Sequence, residues 1–140
     1  MAHKYKLLVI DDEAEILNTI KSYFEKRDFL VETALNGEEG LNKLRNQSFD
    51  VALIDLVMPQ LSGLDVIKKI FEEDIRVSIA IITGHGDRDE AVQALNLGVE
   101  AWFDKSALNM DKLYKSIKDL SHAIPEDKIE KFIAILNEKR

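Results

Sequence analysis

Cysteine is absent from this chain of 140 residues, which removes disulfides and thiolate metal sites from consideration. No run approaches the ~18 apolar residues of a membrane span. Met1 to Lys6 contains no apolar signal-peptide core. A cytoplasmic protein without membrane contact is therefore the default expectation. Basic charge is also scarce: 26 acids against 19 bases leave a formal charge of −7. Such a chain lacks the broad basic face that grips phosphate backbones, so direct nucleic-acid binding by this segment is not expected. Internal repeats and low-complexity stretches are missing too. What remains is 46% apolar and 32% charged, ordinary for a globular protein, and long enough for one domain with a real core.

Short apolar runs and helical stripes take turns along the chain. Lys6 to Ile10 is an apolar run rich in branched residues that stops at Asp11-Asp12-Glu13. A run this short, bounded by charge, suits a strand buried on both faces. Ile16, Leu17, Ile20, Tyr23 and Phe24 then form one helical stripe, with Asp12 placed to cap it. Leu30 to Ala34 reads as a second strand. Asn36-Gly37 marks a turn before a short helix carrying Leu41 and Leu44. Phe49 to Ile54 is a third strand running into Asp55, and after Pro59 and Gly63 a helix turns Leu64, Ile67, Ile70 and Phe71 inward. Val77 to Ile82 is the fourth strand, ending at Thr83 and broken by Gly84-His85-Gly86-Asp87. Ala91, Ala94 and Leu95 mark the next helix, stopped by Gly98. Ala101 to Phe103 is a short fifth strand before Asp104-Lys105, and Met110, Leu113, Tyr114, Ile117 and Leu120 form a fifth helical stripe. Five β-α units in strict alternation predict an α/β fold, a doubly wound five-stranded parallel sheet with helices on both faces. Pro125 can start one more helix, whose apolar residues are Ile129, Phe132, Ile133 and Leu136.

Right-handed crossovers put the C-terminal tips of all the strands along one edge. Asp11 and Asp12, Asp55, Thr83 and Lys105 are the residues at those tips. Ligands of doubly wound sheets sit beyond this edge, where the strand order reverses. If the order is 2-1-3-4-5, the first and third strands are neighbours and the three acids converge. Three carboxylates together repel one another, which raises their pKa values or recruits a cation. Oxygen-only ligation suits a hard ion, Mg²⁺ more than Zn²⁺. A carboxylate nucleophile, a divalent cation, a lysine and a hydroxyl can together stabilise a phosphoryl group in transfer.

With these residues in hand, the chain resembles the receiver domains of two-component response regulators. The matching features are VIDDE near the N-terminus, the DxxMPxxxG pattern of Asp55, Met58, Pro59 and Gly63, Thr83 with Gly84, and Lys105. They occur in order over Lys6 to about Ala123. The resemblance implies the strand order 2-1-3-4-5 and a receiver domain over residues 1–123, with 124–140 as a C-terminal helical extension. It implies a signalling domain rather than an enzyme with a released product, one that promotes its own phosphorylation and dephosphorylation. Asp55 would accept the phosphoryl group from a histidine kinase or a phosphotransfer protein. Asp12, Asp55 and the Val57 carbonyl would hold Mg²⁺, with Asp11 acting partly through water. Lys105 would pair with a phosphoryl oxygen, and Thr83 would hydrogen-bond to it in the active state. A phosphatase of the aspartyl-phosphate type would need a second acid two residues after the nucleophile, and that position is Val57.

Two positions depart from the family pattern. Ser106 follows Lys105 where a proline is usual; a cis peptide there would cost about 3–4 kcal/mol, so a trans bond and a shifted loop are expected. Trp102 stands where the switch ring is usually Tyr or Phe, and its readings are a moving switch or a packing and partner-surface aromatic. Val57 and His85 line the mouth of the site and are candidates to tune dephosphorylation, while Gly84 and Gly86 either hinge the loop or only make the turn. The partner surface implied is the face of the fourth helix, fifth strand and fifth helix. The downstream target stays unnamed. The terminal helix packs back on its domain, forms a homodimer contact, or begins a linker to an output domain.

Overall fold

The computed structural model describes residues 4–84, 88–122 and 126–138. Elements follow in the order β1 (Tyr5–Ile10), α1 (Ala14–Glu25), β2 (Phe29–Ala34), α2 (Gly37–Asn46), β3 (Val51–Asp55), α3 (Gly63–Glu72), β4 (Ser78–Thr83), α4 (Arg88–Leu97), β5 (Ala101–Asp104), α5 (Met110–Ser121) and α6 (Glu126–Glu138). All strand pairs are parallel, in the order β2-β1-β3-β4-β5. The doubly wound sheet expected from the alternation is the observed fold, with a further C-terminal helix.

The sheet separates two apolar layers. Leu8, Ile10, Ala52, Ile54, Ile79 and Ile81 face one way and pack on α2, α3 and α4. Leu7, Val9, Val51, Leu53, Ala80 and Ile82 face the other way and pack on α1 and α5. Successive strand residues point to opposite faces, so a strand covered on both sides has no place for polar residues, and β1 and β3 read as continuous apolar runs. Burying each large side chain stabilises the fold by about 1.5–3 kcal/mol.

Two local expectations are corrected. Phe71 is 46% exposed rather than inward. The buried face of α3 is filled by Leu64, Val66, Ile67 and Ile70, and α4 buries only Ala91 and Ala94. The cap of α1 is Glu13, not Asp12, and its side chain makes no capping hydrogen bond. The expected break at His85, Gly86 and Asp87, the Pro125 helix start, and the side chains of Ile129 and Phe132 lie outside the described residues. Ile133 and Leu136 of α6 are each half exposed.

Charged side chains guard the β2 edge of the sheet. Lys43 Nζ donates to the Thr33 carbonyl at 2.7 Å. Glu32 on the same strand receives Lys43, Lys6 and the Gln47 amide at 3.6, 3.5 and 3.2 Å. At the other edge, β5 has only four residues.

Candidate acidic site at the strand tips

Register brings the acids together. Ile10 pairs with Ile54 across β1 and β3, so the next residues, Asp11 and Asp55, leave the sheet side by side. The Asp11 N–H donates to the Ala34 carbonyl at 3.0 Å, carrying the ladder one residue past β1. Asp11 is fully buried, Asp55 is 2% exposed, and Asp12 faces solvent. Oxygens of the three carboxylates lie within 4.8 Å of one another.

The backbone behind Asp55 is held by Gly63. A Cβ on Gly63 would sit 2.1 Å from the Asp55 carbonyl oxygen and 2.7 Å from Leu56 Cα, so only glycine allows the start of α3 to press against the end of β3. The Gly63 N–H donates to the Leu56 carbonyl at 3.0 Å and closes the loop between them. Ser62 caps α3, its hydroxyl accepting from the Asp65 N–H. The DxxMPxxxG spacing is thus a packing requirement as well as a pattern.

Lys105 completes the site. Its Nζ lies 2.9 Å from Asp11 Oδ2, 3.0 Å from Asp55 Oδ2 and 3.2 Å from Glu13 Oε1, with the side chain 14% exposed. The peptide bond between Lys105 and Ser106 is trans. Proline is replaced by a different brace: Asp104 Oδ1 accepts from the Ser106 N–H at 2.9 Å and from its hydroxyl at 2.7 Å, capping a 3₁₀ turn over Lys105–Ala107. The trans-linked loop delivers the ammonium to the acids.

The remaining carboxylate oxygens are tied to backbone. Asp55 Oδ1 accepts from the Val57 N–H at 3.1 Å, and Asp11 Oδ1 from the Glu13 N–H at 2.8 Å. Asp11 Oδ2 is buried without an aligned hydrogen bond; the ammonium charge beside it is its compensation. Burial, and then the Asp11 charge, push the Asp55 carboxyl up to about 6 despite Lys105. Burial likewise raises Asp11. For Lys105 burial opposes the charge, but the hydrogen bonds and charges of Asp11 and Asp55 prevail and push its pKa up.

This donor set fits a hard divalent cation. It offers oxygen only, three carboxylates, and one buried oxygen with spare accepting capacity. Thr83 ends β4 one residue beyond Ile82, the register partner of Asp55; it is 2% exposed and its hydroxyl donates to the Gly84 carbonyl at 3.3 Å. A Cβ on Gly84 would meet nothing within 4 Å, so packing does not demand glycine there. Val57 is 53% exposed at the mouth. His85 and Gly86 lie outside the described residues. Trp102 is 47% exposed on β5, whose next residue, Phe103, packs on the α1–α5 layer. Trp102 therefore stands on the α4 side of the sheet. Two participants were not singled out in the sequence, Glu13 and Asp104. Both adjoin the motifs, as the third acid of Asp-Asp-Glu and the acid before Lys105.

Comparisons with known proteins place the fold in a family. A family model described as the response regulator receiver domain matches residues 7–118. Response regulator SaeR of Staphylococcus epidermidis is 31% identical over 99 residues, 71% of this chain and 43% of SaeR. The SaeR of Staphylococcus aureus is 28% identical over the same length. The chain thus spans less than half the length of these curated relatives. A receiver domain structure from Clostridium thermocellum superposes with a TM-score of 0.78 at 35% identity, over 84% of this chain and 94% of that one. A CheY-like receiver from Methanospirillum hungatei superposes with a TM-score of 0.78 at 29% identity, over 91% and 97%.

Proposed function

The chain belongs to the response regulator receiver domain family, the phosphorylated modules of two-component signalling, and on that premise we propose that Asp55 is its phosphoacceptor. One observation carries this reading: Asp55 ends a fully buried strand, and Lys105 Nζ lies 3.0 Å from its Oδ2. With its pKa near 6, the buried carboxyl is largely ionised at neutral pH and available as a nucleophile. An Asp55 oxygen attacks the phosphorus of a phosphohistidine on a histidine kinase or phosphotransfer protein. The P–N bond breaks, the imidazole leaves, and an acyl phosphate forms. Asp11, Asp12, Asp55 and the Val57 carbonyl would hold Mg²⁺, Asp11 partly through water. Bound there, the ion neutralises charge on the phosphoryl oxygens.

Lys105 is already at the nucleophile and moves to a phosphoryl oxygen. Thr83 hydrogen-bonds to the same group and reports its presence to the α4–β5 side. The protein is a signalling receiver that promotes its own phosphorylation and dephosphorylation, with residues 1–123 as the receiver and 124–140 as a helical extension, and it works in the cytoplasm. Val92, Leu95 and Trp102, each more than 40% exposed, are the apolar residues of the α4–β5 face that meets the downstream partner. A homodimer through that face or through α6 is read from solution mass with and without beryllofluoride.

Intact mass after incubation with acetyl phosphate and Mg²⁺ tests the assignment. The wild type gains one phosphoryl group, chelation abolishes the gain, and Asp55→Asn does not show it. Equal incorporation by Asp55→Asn would overturn the assignment.

A further inference from the structure

Lys105 stands where a cation would stand. Its ammonium holds Asp11 Oδ2 and Asp55 Oδ2 at 2.9 and 3.0 Å, while the other oxygen of each acid is tied to backbone N–H groups of Glu13 and Val57. The oxygens without a backbone hydrogen bond are therefore the ones already paired with Lys105. A divalent ion using them would face a positive charge at contact distance, and two cations cannot share both oxygens in a buried pocket. Lys105 must give up at least one carboxylate when the ion enters, and a half-buried ammonium needs another anion to go to.

Glu13 is that anion in reach. Its Oε1 already lies 3.2 Å from Lys105 Nζ, and its side chain is 59% exposed. Although Glu13 occupies the cap position of α1, its carboxylate caps nothing. Its backbone is fixed by Asp11, which accepts from the Glu13 N–H. The residue is thus anchored to the site at its main chain and reaches back to the lysine with its side chain. Building on the phosphoacceptor reading, we propose that Glu13 is a positioning residue that takes Lys105 when Mg²⁺ displaces it from Asp11 and Asp55. Lys105 stays within reach of the phosphoryl group instead of swinging into solvent, and the metal does not compete against a lysine with nowhere to go.

The experiment is a Mg²⁺ titration in the absence of any phosphoryl donor, followed by calorimetry on four proteins: wild type, Glu13→Gln, Lys105→Gln and the double variant. Glu13→Gln weakens Mg²⁺ binding by about two- to fivefold, the range of a partly exposed ion pair. Lys105→Gln tightens it. In the Lys105→Gln background the Glu13 substitution loses most of its effect. Glu13→Asp keeps the charge but is one methylene shorter, so it behaves like Glu13→Gln. A Glu13 effect of equal size in both backgrounds, or wild-type affinity in Glu13→Asp, means that Glu13 acts only as a distant negative charge and overturns the inference. No change in Glu13→Gln overturns it as well. No Mg²⁺ binding by the wild type would overturn the proposed metal site itself, a separate and recognisable result.

Discussion

Strands β3 and β5 each lead to a functional residue, yet they are built in opposite ways. Every residue of β3 is buried, both neighbours are full-length strands, and Gly63 presses against its end. β5 has four residues that alternate between half-buried and exposed, one paired neighbour, and Trp102 open to solvent. β3 fixes Asp55 by packing. β5 and its turn place Lys105 with less packing, Ala101 and Phe103 on the α1–α5 layer, and with polar contacts: the Asp104 brace behind it and three carboxylates ahead of it. Low local packing marks the segments that move at little cost. The proposed phosphoacceptor ends the well-packed strand, and the lysine proposed to change partners follows the less packed one.

Substitutions can break this contrast. Leu53→Ala in β3 should be the most damaging, at about 2–5 kcal/mol in chemical denaturation; a loss under 1 kcal/mol would mean β3 is not the rigid element. Gly63→Ala forces a methyl group against two backbone atoms. It should cost up to about 3 kcal/mol and also abolish phosphate incorporation, because Asp55 shifts with its backbone. Retained incorporation would show that Asp55 is not placed by this contact.

Asp55→Asn should go the other way and stabilise the metal-free protein by on the order of 1–2 kcal/mol, since it removes a buried carboxylate that repels Asp11. The pH dependence has a defined sign. Asp55 binds its proton more tightly in the folded state, near 6, than at its ordinary 3.8. Folding is therefore favoured by protonation, and this contribution falls as pH rises between those values. Unfolding with a chelator present should show a flatter profile over that window for Asp55→Asn than for wild type; identical profiles would remove the strain from the site.

Trp102→Ala should cost less than about 1 kcal/mol, as for an exposed edge residue, while weakening partner or dimer contacts. A cost comparable to Leu53→Ala would place the ring in the core. Lys118→Met should have the smallest effect. Its hydrogen bond holds the Asp28 carboxyl below the ordinary range. That contribution is present above the ordinary carboxylate pKa and lost as pH falls through the lowered one, so any Tm difference from wild type should shrink in acid.

The sequence carried the fold well because strands covered on both faces leave a one-to-one trace, an unbroken apolar run ending in a polar residue. Asp11, Asp55 and Thr83 could be read for the same reason, since each terminates such a run. Helix faces were less legible. Apolar spacing shows a stripe but not its width, so Phe71 looked inward when smaller neighbours had already filled the space. Lys105 could be placed at a strand end, but its brace could not, because Asp104 and Ser106 meet through a turn that no periodicity marks. Glu13 was hidden by its position: an acid at a helix start reads as a cap, and only the three-dimensional contact shows it turned toward Lys105.

The guarded edge of β2 bears on how the molecule behaves in a crowd. An open strand edge is a template for another chain's strand. Here one edge has a lysine donating to a strand carbonyl, and the other ends after four residues. Copies held close together meet a hindered edge rather than an open one. Association is left to the helical faces, where it can be made and undone.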